Sequence, residues 1–106
     1  MPIGIDMNET KELEAGGITF VLGRMTASGF LTAIHACQIA ADPSGFRALV
    51  RGSVRSWRGW DGVQPKTTPE GRLEQLETLP YPTFMLLVRE IQIFHFATDA
   101  EGEARD

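Results

Sequence analysis

Apolar residues recur at period two over Ile18, Phe20 and Leu22, with Thr19, Val21 and Gly23 between them, which is the signature of a strand with one buried face. Just before it lies Gly16-Gly17, a two-residue turn that tolerates positive φ, preceded by the mostly polar stretch Thr10–Ala15. The pattern predicts a β-hairpin over Leu13–Met25, with its first strand an exposed edge. From Ser28 the period lengthens. Phe30, Leu31, Ile34, Cys37, Ile39 and Ala41 form an imperfect helical stripe over 28–41, with Thr26 or Ser28 available as N-cap.

Asp42-Pro43 closes that helix and opens another, because aspartate caps well and proline fits the first helical position. Phe46, Leu49, Val50, Val54 and Trp57 then recur at spacings of three and four, predicting a helix over 43–58 that Gly59 stops. A loop over Trp60–Thr67 carries the Asp61-Gly62 turn signal. Thr68-Pro69 repeats the cap-then-proline start for a short helix over 69–79, marked by Leu73, Leu76 and Leu79. Pro80-Tyr81-Pro82 breaks it and begins the last helix, over 82–97. There Phe84, Leu87, Val88, Ile91 and Phe94 or His95 line one face, while Met85, Leu86, Ile93 and Phe96 spread apolar surface around the cylinder. A helix that is apolar on most sides is either central or half covered by a partner. The expected fold is therefore α+β and helix-dominated, an N-terminal β-hairpin followed by about four packed helices.

Length sets the scale of that fold. The 106 residues suffice for one compact domain, expected over 1–97, and the run 98–106, without a large apolar side chain, is expected to fray as an acidic tail. Net charge is -4 with a pI near 5.1, which argues against a dedicated nucleic-acid binder. The acids crowd the ends, at Asp6, Glu9, Glu12 and Glu14 and again at Asp99, Glu101, Glu103 and Asp106. Between Gly23 and Glu90, eight basic residues face six acidic ones, so the body is slightly basic. The start Met1–Asp6 has no basic region followed by a long apolar stretch, so no secretory signal is expected, and the longest apolar run, Phe84–Val88, is far short of the roughly 20 residues a bilayer requires. A soluble chain made in a reducing compartment is expected, since the lone Cys37 has no disulfide partner.

Candidate chemistry is sparse. His35 and Cys37, two positions apart on a helix, point about 200° away from each other and share no tetrahedral ion. His95 is distant in sequence, so no metal site and no cofactor are expected. Nucleophile elbow, phosphate-cradling glycine loop and helical HExxH are all missing from the chain, and no catalytic residue is assigned. The sharpest pattern is basic. Arg47, Arg51, Arg55 and Arg58, at spacings of four, four and three, make a guanidinium ridge along the 43–58 helix, suited to gripping phosphates or to meeting acidic side chains of a protein partner, the protein contact being favoured. The bland alternative is a solvated face of like charges. Trp57 ends an apolar stripe and is read as core; Trp60, beyond the glycine, is the better interface anchor.

Three stretches also carry a family likeness. Phe20-Val-Leu-Gly-Arg-Met25-Thr26, then Leu49-Val50-Arg-Gly-Ser-Val54-Arg-Ser-Trp57-Arg-Gly59, then Leu73-Glu-Gln-Leu76-Glu-Thr-Leu79-Pro80 follow one another in an order that resembles the small tail assembly chaperones of long-tailed, siphovirus-like bacteriophages. The resemblance implies a non-enzymatic helper in the cytoplasm of an infected bacterium. It would bind the tape measure protein, a long helical polypeptide, during tail morphogenesis and be absent from the virion. The alternative is a small phage or bacterial structural connector or inhibitory adaptor, also acting by protein contact. The expected protein-binding residues are Arg47, Arg51, Arg55, Arg58, Trp60, Met85, Leu86, Ile93 and Phe96. Expected partners are the tape measure or another phage tail protein, or a second copy of the chain, and neither membrane nor nucleic acid.

Overall fold

The computed structural model describes residues 9–39 and 42–105. Strands β1 (Thr10–Ala15) and β2 (Ile18–Gly23) pair antiparallel around Gly16-Gly17, whose φ values of 62° and 82° are those a two-residue hairpin turn demands. Ile18, Phe20 and Leu22 are buried, as their alternation requires, and β1 is an edge strand. The chain then forms α1 (Ala27–Ile34), capped by the Thr26 hydroxyl, which accepts from the Gly29 N–H. A π-helical turn (His35–Ile39) continues α1. Phe30, Ala33 and Cys37, at spacings of three and four, are buried, whereas Leu31, expected inside, lies off that stripe and is 65% exposed. Ala41, the end of the expected stripe, lies outside the described residues.

The largest departure from the hydrophobic pattern follows. Helix α2 (Pro43–Ser53) starts where Asp42-Pro43 predicts, with the Asp42 carboxylate accepting from the Ser44 N–H. It stops five residues before the predicted end. Val54–Arg58 is a third strand, β3, paired antiparallel with β2 in the order β1-β2-β3. The helix gives way to the strand with no loop between them. The Val54 N–H closes the last turn of α2 on the Val50 carbonyl, and Val54 itself is already extended.

The helical reading failed because a bulge imitates helical spacing. Opposite β2, Leu22 aligns with Val54 but Val21 aligns with Ser56, so Arg55 is the extra, unpaired residue. In a regular strand, residues three apart face opposite sides. With one residue bulged out, Val54 and Trp57 both point inward, at 1% and 5% exposure. The spacing of four and three along Val50, Val54 and Trp57 therefore fits a helix passing into a bulged strand as well as one continuous helix.

Gly59, at φ 85°, ends β3. The loop after it bends at Gly62, and the Trp57 indole N–H donates to the Val63 carbonyl at 2.9 Å. Helix α3 (Pro69–Leu76) begins at its predicted cap, Thr68 accepting from the Gly71 N–H. Helix α4 (Tyr81–Arg105) starts within Pro80-Tyr81-Pro82, and its backbone stays helical through Arg105, beyond the end near 97 that the loss of apolar side chains predicts. Phe20, Leu22, Leu49, Val50, Val54, Leu76, Leu87 and Ile91 make one core between the inner face of the sheet and helices α2, α3 and α4. At the far end of α4, His95 Nε2 accepts from the Met25 N–H at 3.0 Å, and its ring stacks on Phe30 at 4.5 Å.

Candidate functional site

Two recesses open along α2. The first is an apolar groove of about 300 Å³ between the start of α2 and the start of α4, lined by Pro43, Phe46, Leu79, Tyr81, Phe84 and Met85. Pro80 and Pro82 set the sharp entry into α4 that leaves Tyr81 standing out, 73% exposed. Phe46, expected in the core, is half-buried and forms a wall. At the rim, Arg47 Nε donates to a Glu77 carboxylate oxygen at 2.6 Å, so both charges there are paired.

The second recess, about 560 Å³, lies between the start of α1 and the last turns of α2. Arg24, Arg51 and Arg55 line it beside Met25, Thr26, Ser28 and Thr32, and no carboxylate is among the lining residues. Arg24 is buried, with a cation–π contact of 4.4 Å over Phe94 and ion-paired to Glu9 at 2.9 Å. The bulge turns Arg55 toward this side, where its guanidinium donates to the Gly52 and Arg24 carbonyls. It lies so close on Gly23 that any Cβ there would strike it. Partial burial lowers the Arg55 pKa from the usual arginine value, and the nearby Arg72 charge acts in the same direction.

The predicted guanidinium ridge is therefore divided. Arg47 and Arg51 are on α2; Arg55 and Arg58 are on β3. Arg58 faces the outer side of the sheet in a two-bonded pair with Glu12, at 2.8 and 3.1 Å. That contact holds the Glu12 carboxyl below the usual carboxylate range, by hydrogen bond first and charge second. Arg51 is exposed and makes no ion pair among the described residues.

Of the apolar candidates, Met85 lies in the groove and Leu86 is half-buried against the core. Ile93 and Phe96 are 38% and 53% exposed on one side of α4, where Phe96 meets the Phe30 ring edge-on at 5.2 Å. They lie further along α4, outside the groove. Trp60 is half-buried, its ring 5.4 Å from Trp57, and packs against the core while keeping part of its surface open. Sequence reasoning missed Tyr81 and Arg24. The two prolines around Tyr81 were the available signal for the first; nothing local marks the second.

Cys37 is buried, which raises its thiol pKa, while His35 is exposed. No three His, Cys, Asp or Glu side chains gather among the described residues, and no described helix is long and apolar enough to cross a membrane. The chain matches no family profile, no curated protein and no solved structure.

Proposed function

We propose that the chain is a tail assembly chaperone that binds a helical segment of a phage tape measure protein in the cytoplasm of the infected bacterium, without turning over a substrate. The observation that supports this reading is the groove at the start of α4. It offers an aromatic and aliphatic floor, an exposed Tyr81, and a charged rim at Arg47 and Glu77. A groove of this composition suits an amphipathic helix, whose apolar residues three and four apart fill it while its flanking polar residues meet the rim. Tyrosine and arginine are the residue types on which such contacts concentrate their energy. Apolar burial supplies most of the affinity, so binding persists at moderate salt, and the rim charges act mainly on the association rate.

The test is co-expression with the tape measure protein. The client is expected to be insoluble alone and soluble with this chain. Tyr81→Ser combined with Met85→Ser should abolish that effect while the circular dichroism of the chain itself is unchanged. A client equally soluble with and without the chain would overturn the reading and leave the connector or adaptor alternative. Mass spectrometry of purified particles then identifies a connector, which stays in them.

A further inference from the structure

The cleft between α1 and α2 has no role in the groove-based reading, and its chemistry is different. Three guanidiniums reach it from three separate elements: Arg24 from the end of β2, Arg51 from α2 and Arg55 from β3. In a chain with net charge -4, acids are plentiful, yet none lines this recess, and the one carboxylate on Arg24 is Glu9. Arg51 and Arg55 have no carboxylate partner among the described residues, and cations left without counter-charge weaken a fold, so the pair calls for an external partner.

Arg55 is held in place for that partner. The bulge exists at this residue, and bulges commonly re-aim a side chain beside a functional site. Its two hydrogen bonds to carbonyls fix the guanidinium, so little rotamer entropy is lost when a ligand arrives. Arg24 is buried, and its Nε–H meets no acceptor among the described residues. Arg51 is exposed and unpaired among the described residues, so it is free to close over the opening. On the facing wall stand the Ser28 side chain and the first turn of α1, whose leading N–H groups point away from the helix body.

We propose that this cleft binds a phosphate monoester group. Phosphate fits better than a carboxylate because three guanidiniums from three elements, with the Ser28 hydroxyl opposite, exceed what two carboxylate oxygens can use. A monoester presents three terminal oxygens and nearly two charges. A nucleic-acid backbone fits worse: each diester carries one charge, and the outward-facing Arg58, already bonded to Glu12, offers no second contact for a strand to follow.

The test is calorimetric titration of the full chain at low salt with inorganic phosphate, a nucleoside monophosphate, malonate and duplex DNA. Saturable binding of phosphate or the monophosphate, well above that of malonate, is expected; tighter binding of the monophosphate identifies an ester as the natural source, and equal binding identifies the free ion. Arg51→Gln removes an exposed side chain without described contacts and should weaken binding about tenfold, one charge-assisted contact. Arg58→Gln, on the other side of the sheet, should leave it unchanged. Absence of saturable phosphate binding, equal binding of malonate, tighter binding of DNA, or an Arg51→Gln variant with wild-type affinity would each overturn the assignment. Solubilisation of a helical client is measured separately, so the two readings fail independently.

Discussion

The groove and the cleft share one helix, α2, and both are largely apolar, but they differ in charge balance. In the groove, apolar side chains make the surface and the adjacent charges cancel, Arg47 against Glu77. In the cleft, three guanidiniums stand over a largely apolar lining, and the cations outnumber their partners. Arg47 and Arg51 are one turn apart, yet the first is neutralised and the second is not. The difference lies in what the neighbouring elements supply: the turn after α3 carries Glu77 to one side, whereas α1 and its cap bring Thr26, Ser28 and Thr32 to the other. What a surface offers a partner is set by which charges remain unpaired, not by how many occur along the sequence.

The comparison depends on α2 holding both recesses open at once, and the core beneath it is the place to break that. Ile91→Ala, at a fully buried position on α4, should cost about 2–4 kcal/mol through lost burial and the cavity left behind. A denaturant midpoint like that of the wild type would show that α4 does not carry the packing assigned to it.

A smaller effect is expected at the junction that separates the two pairs of arginines. Ser53, fully buried at the last residue of α2, donates from its hydroxyl to the Gly23 carbonyl at 2.8 Å. Ser53→Ala leaves that carbonyl unpaired and should cost about 1–3 kcal/mol. Because Arg55 lies on Gly23, the cleft should lose phosphate affinity while the groove keeps its client binding. Equal losses at both recesses would mean that the junction supports the fold in general and not the cleft in particular.

The smallest expected effect concerns the paired charges. Glu12 titrates below its usual range because Arg58 holds the ionised form. Its contribution to stability is thus complete above the ordinary carboxylate range and is lost as pH falls through the lowered folded value. Both side chains are exposed, so the loss is slight. Arg58→Gln should flatten that part of the acid limb of a midpoint-versus-pH curve. An unchanged acid limb would show that the pair contributes nothing in solution.

Much of this architecture is legible in short windows of sequence. Gly16-Gly17 with the alternation after it specifies the hairpin, and Asp42-Pro43 and Thr68-Pro69 specify two helix starts, because a turn or a cap is settled by residues within one turn of each other. The candidate site was less legible. Met85 sits in the groove, but Phe46 and Tyr81 complete it from positions 35 residues apart, and the arginine ridge does not exist as a single face.

The sequence by itself determined the hairpin, the capped helix starts, the excess of acids and the apolar character of α4. Only the tertiary structure decided that Val54–Arg58 leaves the helix. The open edge of β2 carries backbone groups that need partners, and a stretch containing Val54 and Trp57 satisfies them while burying both side chains. Only the tertiary structure, likewise, decided the fate of each arginine. The Arg47 and Arg58 pairs span 30 and 46 residues, beyond the reach of any local pattern, and where they close they leave Arg51 and Arg55, at the cleft, without a carboxylate partner among the described residues.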